Sequence, residues 1–439
     1  MFQTLKNAFK IKEIRVKLLF TFAMLVVIRV GSQLPVPGID GTVFKEWFES
    51  QSGDAFNFFN AFTGGSFLNM SVFALNITPY ITSSIIMQLL TIAIPKLEEM
   101  QKDGEDGRKK IASITRYVTV GLALIESIMM VVGFGNQGLI VNMGALTAIS
   151  AVLALTAGSA FLMWIGETIT EHGVGNGISI VLIINIISRI PNDLSTLYQK
   201  FVAGQKNIAP KVLASAIIIA VILVMIVLVV VLNAAERRIS VQYAQKMQGR
   251  RLVGGNGSNI PLKVNTAGVI PIIFASSIMQ FPVILCTLFG WGQNNRVWQH
   301  IQRGLTSSYW CNPSQPVYTI GLLVYIILVI FFAYFYTSIT FNPIEIANNM
   351  KRQGGFIPGI RPGKPTVDYL NKILNYIIFI GAVGLTIICI IPFIFNGIFG
   401  ASVTFGGTSL IIIVSVILET MKQIESQMLV RNYKGFLND

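Results

Sequence analysis

The stretch Pro79-Tyr-Ile-Thr-Ser-Ser-Ile-Ile-Met-Gln88 occurs a second time, in altered form, as Pro271-Ile-Ile-Phe-Ala-Ser-Ser-Ile-Met-Gln280. Each copy has a proline, an isoleucine two residues later, a Ser-Ser-Ile triplet and a final Met-Gln. A second pair of short apolar segments begins Gly177-Ile-Ser-Ile-Val-Leu182 and Gly407-Thr-Ser-Leu-Ile-Ile412. Short or proline-broken segments at matching places in two halves of a membrane protein indicate an internal duplication and its working site.

The composition of the chain places this duplication in a lipid bilayer. The 439 residues are 53% hydrophobic and 12% charged, with a mean hydropathy of +0.65, whereas ordinary soluble chains carry about twice that charge. These values exclude a soluble enzyme, and they also exclude disordered, collagenous and coiled-coil chains. The three cysteines lie far apart and have neither disulfide nor metal-binding spacing.

Apolar stretches define the predicted fold, because a hydrocarbon core about 30 Å thick requires roughly 20 apolar residues per helix. We predict an all-α polytopic membrane protein of ten transmembrane helices in two pseudo-symmetric five-helix halves. The halves are residues 1–191 and 212–439, joined by an extracytoplasmic linker, 192–211. The predicted spans are Leu18–Leu34, Ser71–Ile94, Thr115–Phe134, Leu146–Ile169, Gly177–Pro191, Val212–Asn233, Ala267–Phe289, Val317–Thr337, Ile373–Phe395 and Gly406–Met421.

Lysine and arginine are distributed unevenly over this topology. One side of the membrane carries 25 of them and the other carries 7, with Arg29 inside the first span. Because cytoplasmic loops keep the excess, we predict that both termini are cytoplasmic. Two long cytoplasmic loops, 234–266 and 338–372, carry basic clusters on glycine turns. Such clusters either set topology and contact anionic lipids or bind a large anionic partner, and the length of the loops favours the second function.

The duplicated spans offer aliphatic side chains at corresponding positions, and a ring of such side chains can gate a pore by excluding water. Each isoleucine could instead face lipid or a neighbouring helix. Few ionisable residues lie at membrane depth, namely Arg29, Glu126 and Glu167, which disfavours an ion-coupled transporter. The candidate ring residues are Ile77, Ile81, Ile178, Leu182, Ile270, Ile273 and Ile412.

A further apolar and aromatic segment, Ala55–Phe67, is too short to span and predicts an interfacial or re-entrant piece on the outer side. Signatures of enzymes are missing from the sequence, including the phosphate-binding loop, the zinc-protease motif and the nucleophile elbow. We therefore predict that the chain is not an enzyme and uses no cofactor or metal ion.

Several motifs, in this order along the chain, resemble those of the SecY family, the channel subunit of the bacterial Sec translocase. The resemblance implies an hourglass pore between the two halves, closed by a short re-entrant plug helix and able to open sideways into lipid. Leu182 stands where many members carry isoleucine. The motifs are Phe58-Phe-Asn-Ala-Phe-Thr-Gly-Gly65, Gly173-Val-Gly-Asn-Gly-Ile-Ser179, Pro261-Leu-Lys-Val-Asn-Thr-Ala-Gly-Val-Ile-Pro271, Phe341-Asn-Pro343, Gly359-Ile-Arg-Pro-Gly363 and Phe405-Gly-Gly-Thr-Ser409.

The resemblance also implies roles for individual residues. The plug covers about residues 55–68, and the lateral gate lies on the second and seventh spans with the third and eighth. The basic loops resemble those that dock the ribosome and the SecA ATPase. By this resemblance the plug residues are Phe56, Phe58, Phe59, Phe62, Gly64 and Gly65, the gate residues are Thr82, Gln88, Ser276 and Phe281, and the docking residues are Arg250, Arg251, Arg361 and Lys364.

The expected function is a passive conduit in the cytoplasmic membrane of a bacterium. Unfolded secretory polypeptides would pass through the pore, and signal peptides or membrane segments would leave sideways into lipid. The expected partners are SecE and SecG subunits, SecA, the ribosome and anionic lipids. Two alternatives remain at this point, a secondary transporter for a small solute and a structural membrane scaffold.

Overall fold

The computed structural model describes residues 6, 8–39, 41–50, 63–136, 138–140, 144–203, 208–243, 246–248, 251–253, 258–289, 296–313, 315–399 and 407–435. Helices dominate these residues. The α-helices are α1 Lys12–Gly31, α2 Gly41–Ser50, α3 Thr78–Ala93, α4 Pro95–Lys102, α5 Glu105–Asn136, α6 Ala145–His172, α7 Gly177–Leu197, α8 Ile208–Ala234, α9 Ile270–Phe289, α10 Arg296–Leu305, α11 Ile320–Thr340, α12 Pro343–Arg352, α13 Lys364–Phe399 and α14 Gly407–Gly435.

Each of the ten predicted apolar stretches overlaps one of these helices, so the prediction of a helical membrane fold is confirmed. Within the described residues, six helices are long and apolar enough to cross a membrane, and the bent pair α3 and α4 could form a seventh span. Helix α3 has only 16 residues, fewer than the roughly 20 that a span requires. The count of ten crossings therefore stays a prediction.

Helix α3 differs at both ends from the predicted span Ser71–Ile94. It begins at Thr78, and Pro79 fits its first turn because the missing N–H would have no partner there. It ends where Ile94 adopts an extended conformation before Pro95, which disfavours helical geometry in the preceding residue. The chain bends by 102° at this point.

Helix α7 is longer than its predicted span. The sequence analysis ends the span at Pro191, whereas the helix continues through that proline to Leu197. Its start is fixed by the glycine motif before it, because the Asn176 Oδ1 atom accepts hydrogen bonds from the backbone N–H groups of Ile178 and Ser179 at 3.1 and 3.4 Å.

The chain divides into two compact units. The first unit contains Met1–Thr196, Val283–Gln299 and Val416–Asp439, and the second contains Leu197–Pro282 and His300–Ser415. These units assign two segments after residue 212 to the first unit, whereas the halves predicted from the sequence are continuous in the chain. The predicted halves remain a prediction.

The first unit is held together by aromatic packing and by hydrogen bonds between helices. The ring of Phe44 contacts those of Phe67 and Phe134 at centroid distances of 5.5 and 4.9 Å. The Ser83 hydroxyl of α3 donates to the Thr115 carbonyl of α5 at 2.9 Å. Edge-to-face ring pairs of this kind contribute about 0.5–1.5 kcal/mol beyond their buried area.

The second unit contains short strands that the sequence analysis did not predict. Strand β1 (Glu236–Tyr243) pairs with β4 (Ser258–Lys263) and with β5 (Gly355–Phe356), both antiparallel. Strands β2 (Lys246–Gln248) and β3 (Arg251–Val253) form a separate ribbon. Because β1 and β5 belong to the two long predicted loops, this pairing joins the loops into one structure.

Candidate channel site

The four ring residues predicted in the first unit lie in one apolar cluster. Ile77 and Leu182 are buried, and Ile81 and Ile178 are half-buried members of the same cluster. Ile77 precedes α3, and its carbonyl accepts the backbone N–H of Ile81 at 3.1 Å. Ile178 and Leu182 are one turn apart on α7 and therefore lie on the same face. The structure thus brings these four side chains together.

The ring residues predicted in the second unit have a different environment. Ile270 and Ile273 of α9 are half-buried, and Ile412 of α14 is buried. The main apolar cluster of this unit contains their sequence neighbours Ile272 and Ile411. Successive residues of an α-helix are about 100° apart around the axis, so Ile273 and Ile412 lie on other sides of their helices.

The predicted plug falls partly within the described residues. Phe56, Phe58, Phe59 and Phe62 lie outside the part of the chain that the structure describes. Gly64 and Gly65 have φ angles of +65° and +87°, which glycine adopts without steric cost. Gly64 also approaches the backbone of Asn185 so closely that a Cβ atom there would lie 2.7 Å from it.

Buried polar groups fasten the chain that follows Gly64. The Asn185 Nδ2 group donates to Asn76 Oδ1 at 3.0 Å, and the Ser159 hydroxyl donates to the Asn76 carbonyl at 3.0 Å. The Ser188 hydroxyl donates to the Gly64 carbonyl at 3.3 Å. We call Asn76, Ser159, Asn185 and Ser188 the polar clamp.

The polar clamp adjoins the ring positions in the sequence, since Asn76 directly precedes Ile77 and Asn185 lies three residues after Leu182. The site residues predicted from the sequence do not include Asn185. A signal existed, because a lone asparagine inside the aliphatic run of α7 is costly in a membrane helix and marks a structural or functional role.

The predicted gate residues differ in exposure. Thr82 is half-buried and Gln88 is exposed on α3, whereas on α9 Ser276 is buried and Phe281 is 58% exposed. The rings of Phe274 on α9 and Phe332 on α11 stack at 5.1 Å. The gate helices α9 and α11 of the second unit are therefore in contact. In the first unit, α3 and α5 are in contact through Ser83 and Thr115.

The predicted docking residues lie on the joined loops of the second unit. Arg250 is outside the described residues, and Arg251 begins β3. Arg361 and Lys364 are exposed, in a turn whose Gly359 and Gly363 have φ angles of +83° and +109°. The Thr366 hydroxyl, on a buried side chain, donates to the Arg361 carbonyl at 2.9 Å.

These features define a polytopic helical membrane protein in which duplicated helices carry aliphatic residues and paired loops carry exposed cations. Comparison with known proteins is consistent with this class. The family model described as SecY matches residues 71–421. The protein translocase subunit SecY of Streptomyces galbus is 43% identical, with both chains covered completely. The chain belongs to the SecY family, and the resemblance noted in the sequence is confirmed.

Solved structures show the same fold at low sequence identity. One, described as the structure of a protein conducting channel, has a TM-score of 0.64 and 18% identity and covers 94% of this chain and 93% of its own. Sec61 in a canine ribosome-channel complex from the endoplasmic reticulum gives a TM-score of 0.62, with the same identity and coverage.

Proposed function

We propose that this chain is the channel subunit of a bacterial protein translocase, which passes unfolded secretory polypeptides across the cytoplasmic membrane. Membership of the SecY family supports this proposal, because the Streptomyces galbus relative is a protein translocase subunit. The observation that carries the proposal at the level of residues is the apolar cluster that contains Ile77, Ile81, Ile178 and Leu182.

The proposed seal is the ring of aliphatic side chains predicted from the sequence. Isoleucine and leucine have no polar atom that could replace the hydration shell of an ion, so a narrow aliphatic ring excludes ions by excluding water. A polypeptide in transit would fill the same ring with its own side chains. Ile270, Ile273 and Ile412 are the proposed contributions of the second unit.

The proposed exit into lipid lies along α3 and α9, the helices of the Pro79 and Pro271 motifs. Exposed apolar surface on α9 supports this assignment, since Phe281 and Ile278 are 58% and 48% exposed. A hydrophobic signal or membrane segment that reached this surface would lower its free energy by moving from water into lipid.

Partners on the cytoplasmic side would set the direction in which the polypeptide moves. We place both termini and the two joined loops on that side. SecA and the ribosome are the proposed partners, with SecE and SecG as companion subunits. The canine Sec61 structure is that of a ribosome-channel complex, which supports a ribosome as one partner. Ribosomal RNA is an anionic surface, so exposed Arg361 and Lys364 would contact it favourably.

A crosslinking experiment tests the proposed function against solute transport. A photoreactive residue replaces Phe281 in the full complex, and a second variant carries it at Phe379, which is similarly exposed at 54%. With a stalled secretory chain, we expect the signal peptide to crosslink at position 281 and only weakly at 379. Equal labelling of both positions, or uptake of a small solute without polypeptide crosslinks, would contradict the proposal.

A further inference from the structure

Helix α10, Arg296–Leu305, lies outside the channel site and separates polar from apolar residues completely. At about 100° per residue, its apolar residues and Gly304 occupy an arc of about 120°, and its polar residues occupy the remaining side. Val297, Trp298 and Ile301 on the apolar side are 65%, 42% and 43% exposed. We call these three residues the apolar patch of α10.

The second half of α10, from His300 to Leu305, is fastened to the second unit. The His300 Nδ1 atom and the Tyr318 hydroxyl are 2.7 Å apart and share a hydrogen bond. The Trp310 Nε1 group donates to the Gly304 carbonyl at 2.7 Å, and Leu305 packs against the main apolar cluster of that unit. The exposed Ile301 therefore lies on an anchored part of the helix.

Charge around the patch favours an anionic neighbour. Helix α10 carries Arg296 and Arg303 and no acidic residue, and no aspartate or glutamate occurs anywhere between Glu236 and Glu345. A protein partner that contacted α10 would meet two cations and no acidic side chain on this helix. A layer of anionic headgroups above acyl chains matches both the cations and the apolar patch.

The position of α10 between two apolar helices indicates that the headgroups are those of the membrane that surrounds the protein. It follows α9 and precedes α11, and α11 begins a membrane-spanning segment. We propose that α10 lies in the bilayer interface and binds anionic phospholipid, with the apolar patch among the acyl chains and the two arginines at the phosphates. This inference depends on the membrane fold and not on the proposed channel activity.

Fluorescence quenching tests the proposal in the full complex reconstituted into vesicles. Cys286, Cys311 and Cys389 are first replaced, and a bimane label is attached at Ile301→Cys on the apolar side or at Gln299→Cys on the polar side as the matched control. We expect brominated phosphatidylcholine to quench the label at 301 at least about threefold more than at 299, and iodide to show the opposite order.

The preference for anionic lipid has its own readout. Brominated phosphatidylglycerol should quench the label at 301 more than brominated phosphatidylcholine does. Each arginine near the surface is worth about 1 kcal/mol, so the Arg296→Gln/Arg303→Gln variant should reduce this preference by about fivefold for each arginine. Equal quenching by the two lipids before and after the substitutions would overturn the anionic preference.

The remaining outcomes are equally decisive. Strong iodide quenching at 301 would show that the patch faces water, and protection from both iodide and brominated lipids would show that a protein covers it. Either result overturns the proposal. Labelled complexes that elute as a single assembled species establish that the substitutions preserve the fold.

Discussion

The two copies of the duplicated motif place their isoleucines in different surroundings. In the first unit, Ile81 belongs to an apolar cluster that also contains the buried Ile77 and Leu182. In the second unit, Ile273 is half-buried, and its neighbour Ile272 occupies the main cluster instead. Ring positions of the first unit therefore contribute to folding, whereas Ile273 is free of that requirement.

The hydrogen bonds of asparagine side chains lie at different distances from the two motifs. The polar clamp fastens the chain that leads into Ile77 by hydrogen bonds from Asn185 and Ser159. Around the second motif, the described hydrogen bonds include a pair from Asn265 Nδ2 to Asn233 Oδ1 at 2.8 Å. Asn265 precedes the motif by several residues. The bond therefore holds the segment before α9 and not the ring position itself.

The largest expected effect of this difference is on stability. Ile77→Ala should lower the free energy of unfolding of the complex by about 2–4 kcal/mol, because it leaves a cavity in a closed cluster. Ile273→Ala should cost about 1 kcal/mol or less, since its side chain is only half-buried. Unfolding in detergent measures both, and equal losses would remove the distinction between the two units.

The polar clamp should show the next largest effect. Asn185→Leu removes the Nδ2 group that donates to Asn76 Oδ1, and the loss of such a buried bond costs about 1–3 kcal/mol. Asn192→Leu on the same helix is the matched control, because Asn192 is exposed. Thermal unfolding should separate the two variants, and indistinguishable midpoints would show that the clamp carries no stability.

A smaller and purely functional effect is expected at the loops of the second unit. Arg361→Glu should reduce SecA-driven export about tenfold, which corresponds to about 1.4 kcal/mol, because a reversed charge loses a charge-assisted contact with the partner. Export into inverted vesicles measures the rate. Assembly and thermal stability should stay unchanged because Arg361 is exposed. Normal export with a stable complex would rule out this residue as a docking contact.

The sequence predicts the helices well because long apolar runs have few alternatives in a bilayer. It does not predict the start of α3, since residues 72–77 are mostly apolar but form turns in which Asn76 has a φ angle of +54°. Hydropathy reports side chains and not backbone conformation. The sequence also does not predict the pairing of β1 with β5, because the paired residues lie about 110 positions apart and the ladder is short.

The sequence predicts the ring residues of the site better than the residues of the polar clamp. The duplication identifies Ile81 and Ile273 as a pair without any structure. The clamp requires a structure, because the hydrogen bond from Asn185 to Asn76 joins residues 109 positions apart. No local pattern in the sequence specifies such a contact.

Resting ion conductance of the reconstituted complex tests the central claim most directly. The Ile81→Ser/Ile273→Ser variant changes one half-buried ring residue in each unit, and Ile92→Ser/Ile387→Ser changes two exposed isoleucines on α3 and α13 as a control. An aliphatic seal predicts that the first pair raises conductance while the second leaves it at the level of the unmodified complex. Equal conductance for the two pairs, with both complexes assembled, would contradict the seal.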